Sequence, residues 1–171
     1  ANLEGVPLDG ETESGFRHEF VHGDIRDGDL LAELFSGNEF DAVINFAAES
    51  HVDRALEGAD EFLETNVGGT HELLKAALEV GVSRFVQVST DEVYGELGPE
   101  DPAFTEESPL DPQNPYAASK AGADLLVNSF HESFGLDVVI TRASNNYGPW
   151  QFPEKFLPVA ITSLLEGEPI P

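Results

Sequence analysis

The sequence contains no cysteine and no methionine, and basic residues are scarce. The absence of cysteine excludes disulfides, zinc-cysteine centres and thiol catalysis, and no metal site is expected. Because even position 1 is not methionine, we expect an internal segment of a longer chain. No apolar run approaches the roughly 18 residues of a membrane-spanning helix and no signal peptide is visible, so we expect a cytoplasmic protein with no membrane partner.

The charge balance is strongly acidic. Eight basic residues face 33 acidic ones, which gives a formal net charge of −25 and argues against a nucleic-acid partner. The 40% hydrophobic content and the 12 phenylalanines argue against disorder and favour an acidic shell around a folded core. Because the acidic residues are spread along the whole chain, the pattern is typical of salt-loving organisms, with a merely acidic mesophilic protein as the alternative.

Segments with the pattern of strands alternate with helical patterns along the chain. The predicted strands are 16–25 (FRHEFVHGDI), 41–46, 84–89 and 137–142. The predicted helices are 27–35, 60–80, 116–134 and 154–166. Asp27 is expected to cap the first of them, and Gly81 and Gly135 to end the second and third. This alternation predicts an α/β fold with a doubly wound parallel sheet. Strand 41–46 is expected to be buried on both faces, residues 1–15 to form a loop, and residues 95–114 to form a long functional loop.

Polar segments follow three of the predicted strands, where ligands bind in α/β sheets. These segments are FAAESH at 46–51, STDEVYG at 89–95 and SNNYGP at 144–149. The helix that begins near Tyr116 opens with YAASK, which places Tyr116 and Lys120 on one helical face. A neighbouring ammonium favours the phenolate and would lower the pKa of the phenol, so the pair predicts a general base. YxxxK alone is a weak signal, and an exposed tyrosine near a solvated lysine is the alternative.

These segments together resemble the extended short-chain dehydrogenase/reductase family. The segments AAESHVDRA, TNVGGT, STDEVYG, NPYAASKA and SNNYGPWQFPEKF are similar to those of its nucleotide-sugar 4,6-dehydratases, and most of all to those acting on dTDP-glucose. The resemblance implies a Rossmann-like fold, NAD as cofactor, a nucleotide-sugar substrate and a homodimer of the full-length protein. It also implies that residues 1–150 form part of the NAD-binding domain and that 151–171 begin the substrate-binding part.

One departure from the family pattern is the absence of a GxxGxxG turn before Phe16. Such a turn holds the pyrophosphate of a dinucleotide at a helix N-terminus. We therefore expect the fold to be incomplete at both ends and this segment to be inactive on its own.

The resemblance assigns catalytic roles to five residues, namely Thr90, Asp91, Glu92, Tyr116 and Lys120. Tyr116 would remove the sugar O4 proton, aided by Thr90, while NAD takes the C4 hydride. Glu92 would then take the C5 proton, Asp91 would protonate the departing C6 hydroxyl, and the hydride would return to C6. The product would be dTDP-4-keto-6-deoxyglucose. For Asp91 and Glu92 the alternative is an acidic pair that merely caps a helix.

The resemblance also implies two sets of binding residues. The cofactor would be contacted by Asp24, Ile25, Phe46, Ala47, Ala48, Glu49, Ser50, Thr65, Tyr116, Lys120 and Asn146. The nucleotide sugar would be contacted by Ser50, Thr90, Asn145, Lys155 and Phe156. His51 and Arg54 are expected to orient the loop that carries them, and Phe46 to Ala48 could instead be strand core.

Two other functions are compatible with these motifs. The first is a dehydratase of another nucleotide sugar, such as GDP-mannose or UDP-glucose. The second is a non-catalytic scaffold with a short-chain-dehydrogenase-like fold. The presence of the five catalytic candidates argues against the scaffold, because a protein without catalysis has no need to keep all of them.

Overall fold

In this computed structural model, residues 9–11, 17–50, 58–149, 151, 153 and 155–170 are described. The chain forms two compact units, a larger one that spans Gly23–Ser144 and a smaller one made of Ala1–His22 and Asn145–Pro171. No helix in the described part is long and apolar enough to cross a membrane. The predicted functional division at residue 150 stays a prediction.

The secondary-structure elements follow the predicted alternation. In chain order they are β1 (Asp9–Glu11), β2 (Arg17–Glu19), α1 (Gly28–Ser36), β3 (Ala42–Asn45), α2 (Asp60–Phe62), α3 (Thr70–Val80), β4 (Arg84–Thr90), α4 (Pro115–Phe134), β5 (Val138–Ala143) and α5 (Phe156–Glu166). A π-helical segment, Leu63–Gly69, joins α2 to α3, and a 3₁₀ turn, Asp91–Tyr94, directly follows β4.

Strands β3, β4 and β5 form a parallel sheet in that order. Val86 at the centre of β4 lies opposite Ile44 on one side and Val139 on the other. Helices connect the consecutive strands, as parallel pairing requires, since two parallel strands cannot be joined by a tight turn. The predicted α/β fold class with a parallel sheet is confirmed.

The main hydrophobic core lies between this sheet and helices α1, α3 and α4. Its buried members are Leu31, Phe35, Leu73, Leu74, Ala76, Ala77, Val82, Phe85, Val127, Phe130 and Leu136. Leu74 and Phe85 are fully buried. These residues recur at helical spacing on the helices, and on β4 the buried positions alternate from Phe85 through Gln87 to Ser89, so one face of each element supplies the core.

The burial of strand β3 differs from the prediction. Ile44 is 57% exposed and Phe46 is 74% exposed, so the expectation of a strand buried on both faces was wrong. The reason is that successive side chains of a strand point to opposite faces of the sheet, and the core packs against Val43 but not against Ile44. An apolar sequence alone does not show which face of a strand receives a partner.

The N-terminal prediction was also partly wrong. Of the predicted strand 16–25, residues 17–25 are described, and among these only Arg17–Glu19 is a strand. It pairs antiparallel with Asp9–Glu11, which lies in the stretch predicted as loop. Residues 20–25 have no regular structure. Hairpin pairing between nearby segments needs no strong apolar pattern, which is why this polar stretch gave no strand signal.

Helix ends follow the local sequence. The Asp27 carboxylate accepts a hydrogen bond from the Leu30 amide at 3.0 Å and caps α1. Gly81 and Gly135, both with φ of +72°, end α3 and α4 in the left-handed conformation that glycine adopts without strain. All three residues were predicted from the sequence to start or end helices.

Residues 95–114 form the predicted long loop, without helix or strand. Phe104 stacks on Tyr94 with ring centroids 5.1 Å apart, and Leu110 packs against the same small cluster as Val93 and Ala121. The Asp111 amide donates to the Val93 carbonyl at 3.0 Å. These contacts fold the loop back onto the start of α4.

Candidate active site

The carboxyl end of β4 runs directly into the 3₁₀ turn that carries the acidic pair. Thr90 caps this turn, because its hydroxyl accepts a hydrogen bond from the Glu92 amide at 3.3 Å. The same hydroxyl lies 3.4 Å from Asp91 Oδ1. Asp91 and Glu92 are half-buried, so both carboxylates remain accessible to a ligand. The capping function proposed as the alternative belongs to Thr90 and not to the acidic pair.

Tyr116 and Lys120 lie in the first turns of α4, as predicted. Lys120 is 3% exposed and its ammonium donates to the Val88 carbonyl of β4 at 2.7 Å. Tyr116 is half-buried, with its ring in an edge contact with Phe62 at a centroid distance of 6.5 Å. The predicted alternative of an exposed tyrosine near a solvated lysine therefore does not describe this pair.

The pKa of Tyr116 differs from the sequence-based expectation. Burial raises the pKa of the phenol above its usual value, the negative charges of Glu92 and then Asp91 raise it further, and a hydrogen bond with Thr90 lowers it. The expected lowering by Lys120 was wrong for this arrangement. The physical reason is that burial and the two nearby carboxylates disfavour a phenolate.

A residue that the sequence analysis missed holds Glu92 in place. Asn114 donates from Nδ2 to Glu92 Oε2 at 3.1 Å, and its Oδ1 accepts from the Ala117 amide at 2.8 Å as the N-cap of α4. One amide thus starts the catalytic helix and anchors a catalytic candidate. An asparagine directly before Pro115 is a helix-start signal, and it could have identified the cap but not the contact with Glu92.

The buried carboxylate of Asp124, one helical turn after Lys120, was also missed by the sequence analysis. Asp124 is fully buried, and its Oδ2 accepts from Ser89 at 3.0 Å and from Arg142 Nε at 2.9 Å. Burial raises the pKa of Asp124, while the contacts with Arg142 and Ser89 oppose that rise. Burial lowers the pKa of Lys120 and the charge of Asp124 opposes this, so the carboxylate helps to keep the ammonium protonated.

The loop after β3 carries five of the predicted cofactor contacts. Phe46, Ala47 and Ser50 are exposed, and Ala48 and Glu49 are half-buried. The Ala47 amide donates to Asn45 Oδ1 at 3.1 Å, and the Glu49 amide donates to Asn66 Oδ1 at 2.8 Å. The loop is therefore fixed through its backbone while small side chains leave its surface open.

Asp24 and Ile25 lie just before α1. The Asp24 carboxylate is paired with the Arg26 guanidinium at 2.7 Å, and this hydrogen bond lowers the pKa of Asp24. Arg26 also reaches Glu64 at 3.3 Å. Ile25 packs on the backbone of Gly69, so closely that a Cβ at Gly69 would lie 2.5 Å from the Ile25 side chain.

A cavity of about 580 Å³ opens beside the acidic pair within the larger unit. Its lining includes Asp91, Tyr94, Phe104, Thr105, Glu106, Ile140, Thr141, Arg142 and Ser144. The volume falls within the range of small-molecule sites. The Asp91 carboxylate thus borders open space large enough for a sugar.

The remaining predicted contacts are spread more widely. Thr65 is half-buried in the π-helical segment. Asn145, Asn146, Lys155 and Phe156 are exposed and lie in the smaller unit, so their contact with the cofactor or sugar stays a prediction. His51 and Arg54 lie outside the described residues.

Comparison with known proteins agrees with this geometry. The low-salt glycan biosynthesis protein Agl12 of Haloferax volcanii is 54% identical over 90% of this chain and 48% of its own length. The dTDP-glucose 4,6-dehydratase of Xanthomonas campestris is 52% identical over 90% of this chain and 46% of its own. The crystal structure of DesIV, a dTDP-glucose 4,6-dehydratase of Streptomyces venezuelae with NAD and TYD bound, matches with a TM-score of 0.83 and 55% identity over 91% of this chain and 47% of that one.

The chain spans about half the length of the curated relatives that it matches. The sequence profile of the GDP-mannose 4,6 dehydratase family matches residues 2–170, which is nearly the whole chain. The Tyr116–Lys120 pair and the acidic turn after β4 lie within that match. The chain therefore belongs to the GDP-mannose 4,6 dehydratase family.

Proposed function

We propose that this chain supplies the catalytic centre of an NAD-dependent nucleotide-sugar 4,6-dehydratase that converts dTDP-glucose to dTDP-4-keto-6-deoxyglucose. The observation that carries the proposal is that the acidic turn meets the start of α4, where Asn114, two residues before Tyr116, donates to Glu92 Oε2 at 3.1 Å. The negative charges of Glu92 and Asp91 accordingly raise the pKa of Tyr116. A proton acceptor for a hydroxyl and two carboxylates for an elimination are thereby grouped at the carboxyl end of β4. Relatives more than 50% identical that bear the name dTDP-glucose 4,6-dehydratase support this substrate over GDP-mannose.

The residues after β3 fit NAD. Ala47 and Ala48 allow close approach to the backbone, and the exposed Phe46 offers an apolar surface beside them. The same loop is tied to α4 through Asn66, which brings it into the neighbourhood of Tyr116. When bound, NAD would take the hydride from C4 of the sugar and return it to C6.

Tyr116 is the base that removes the proton from O4. Because the pKa of Tyr116 is raised, the phenolate is scarce near neutral pH. The hydrogen bond with Thr90 and the positive charge of the protonated Lys120 assist the transfer of the O4 proton to Tyr116. Lys120 is fixed by the Val88 carbonyl, which keeps its charge on the helix face that carries Tyr116. The oxidation step is therefore expected to accelerate as the pH rises toward the pKa of Tyr116.

Glu92 and Asp91 carry out the elimination. Once C4 is a ketone, the C5 hydrogen is acidic and Glu92 accepts it as a proton. The Asn114 amide donates to Glu92 Oε2 at 3.1 Å and so holds this carboxylate in place. Asp91 gives a proton to the C6 hydroxyl, which leaves as water and forms a C5–C6 double bond. Return of hydride to C6 and of a proton to C5 completes the 4-keto-6-deoxy sugar.

The test uses the complete enzyme, meaning this chain extended to the full length of its relatives. It is incubated with NAD and with dTDP-glucose, UDP-glucose or GDP-mannose in deuterium oxide. The expected result is a 4-keto-6-deoxy product from dTDP-glucose with deuterium at C5. Turnover of another nucleotide sugar alone would reassign the substrate, and no turnover of any would favour the non-catalytic scaffold.

Further proposals concern the protein as a whole. We propose that the complete enzyme is a cytoplasmic homodimer and that this chain alone is inactive, since it spans about half of its relatives. We also propose that the first 150 residues serve mainly the cofactor and the remainder mainly the sugar. The net charge of −25 supports adaptation to high salt.

A further inference from the structure

A continuous set of buried hydrogen bonds links the sheet to the π-helical segment. Asn45, at the end of β3, donates from Nδ2 to Gln87 Oε1 at 2.9 Å and to Thr70 Oγ1 at 3.2 Å. Thr70 in turn donates from its hydroxyl to the Asn66 carbonyl at 2.7 Å. Each of these four residues is at most 3% exposed, so water does not compete for the bonds. The backbone at Asn66 is thereby held against the sheet.

The side chain of Asn66 uses all its polar atoms to join two other elements. Its Oδ1 accepts from the Glu49 amide at 2.8 Å, and its Nδ2 donates to the Glu49 carbonyl at 3.0 Å. The second Nδ2 proton goes to Ser119 Oγ at 2.8 Å. Ser119 donates onward to the carbonyl of Tyr116 at 2.7 Å. One amide therefore stands between the loop after β3 and the backbone of Tyr116.

We propose that Asn66 is a positioning residue that holds the loop after β3 in register with the first turn of α4. The inference rests on the proposed function, in which that loop contacts NAD and that turn carries the base Tyr116. A hydride acceptor and a proton acceptor must reach the adjacent C4 and O4 atoms of one sugar, so the loop and the helix have to keep a fixed separation. Only a side chain with both a donor and an acceptor can pair with the amide and carbonyl of Glu49 at once.

The location within a π-helical segment supports this role. Such segments are rare and occur frequently at functional sites. Asn66 lies 17 residues after Glu49 and 53 residues before Ser119, so it joins parts of the chain that no local structure would bring together. A residue that only filled the core would not need three hydrogen bonds directed to two functional elements.

Asn66→Asp in the complete enzyme tests the proposal, because the side chain keeps its shape and its acceptor but loses both donors. We expect roughly tenfold weaker NAD binding, because Glu49 loses a buried partner. We also expect single-turnover NAD reduction with dTDP-glucose to slow roughly 10- to 100-fold at saturating NAD, since misplacement of the reacting groups slows the step itself. Ser119→Ala leaves the contact with Glu49 intact, so it should slow NAD reduction without weakening NAD binding.

Asn38→Asp is the matched control, since Asn38 is exposed and its side-chain amide donates to the Leu34 carbonyl at the end of α1, at 2.8 Å. It should leave both readouts at their wild-type values. If Asn66→Asp lowers the unfolding midpoint but leaves NAD binding and NAD reduction unchanged, Asn66 is a structural residue and the proposal is overturned. If Asn66→Asp does not fold, Ser119→Ala decides, and wild-type NAD reduction in that variant overturns the proposal.

The NAD-binding readout separates this proposal from the proposed function. Binding of NAD to the complete enzyme is measured by protein fluorescence and needs no sugar. If the wild-type enzyme reduces no NAD with any nucleotide sugar, the proposed function fails. Even then, weaker NAD binding in Asn66→Asp but not in Ser119→Ala would support the proposal that Asn66 holds the loop after β3. Equal NAD binding in the wild type, Asn66→Asp and Ser119→Ala would overturn it.

Discussion

Glu92→Gln should separate the oxidation from the elimination. In the wild-type protein Asn114 Nδ2 donates to Glu92 Oε2 at 3.1 Å. Glutamine has the same shape and keeps one side-chain oxygen that can accept this hydrogen bond, so the turn after β4 should stay in place. The substitution removes the base for C5, and loss of a positioned base slows a step roughly 10²- to 10⁴-fold. At about 1.36 kcal/mol for each factor of ten, the barrier to elimination rises by about 2.7 to 5.4 kcal/mol.

The same substitution has the opposite effect on oxidation. The charge of Glu92 raises the pKa of Tyr116, so the neutral glutamine should lower that pKa and let the phenolate form at lower pH. The rise of the oxidation rate with pH should therefore shift to lower pH in Glu92→Gln. Reduced cofactor and a 4-keto-6-hydroxy sugar should accumulate, because the first step is no slower and the second is nearly blocked.

The assay is single-turnover absorbance of reduced cofactor in the complete enzyme with dTDP-glucose, repeated across pH. Exchange of deuterium into C5 provides the second readout and should be slow in Glu92→Gln. Tyr116→Phe should form no reduced cofactor at all, since it lacks the base for O4. Glu96→Gln is the matched control, because Glu96 is an exposed acid four residues further along the chain. Elimination by Glu92→Gln at the wild-type rate would refute the role of Glu92.

Three further perturbations test other parts of the structure. Gly69→Ala should lower the free energy of unfolding by about 1 to 3 kcal/mol and weaken NAD binding, because the new Cβ displaces Ile25. Gly68→Ala is the control and should preserve NAD binding, because a Cβ at Gly68 would meet only the Leu63 carbonyl, at 3.9 Å. Asn114→Asp keeps the cap on the Ala117 amide but replaces the donor to Glu92 by a negative charge that repels it. C5 exchange should therefore slow, and exchange at the wild-type rate would contradict the contact. Unfolding midpoints of the complete enzyme should rise as potassium chloride increases into the molar range, since ions screen an acidic surface, and a flat series would count against adaptation to salt.

The sequence by itself determined most of the local structure of the larger unit. The alternation of strand and helix patterns predicted β3, β4, β5 and the helices between them, and Asp27, Gly81 and Gly135 were recognised as helix-end residues. It also placed the acidic pair at the end of a strand and Tyr116 with Lys120 on one helical face. These features depend on neighbours within a few residues, through periodicity, capping and backbone conformation, and such neighbours can be read directly from the chain.

Tertiary structure decided the environment of each functional group. The raised pKa of Tyr116 follows from burial and from carboxylates on another element, and the spacing of YxxxK predicted the opposite direction. The exposure of Ile44 depends on which face of the sheet the core covers. The contacts of Asn66 with Ser119 and of Asn114 with Glu92 span 53 and 22 residues. Desolvation and long-range hydrogen bonds depend on groups that only the folded chain brings together, so the sequence supplied the candidate residues while the fold determined what holds and tunes them.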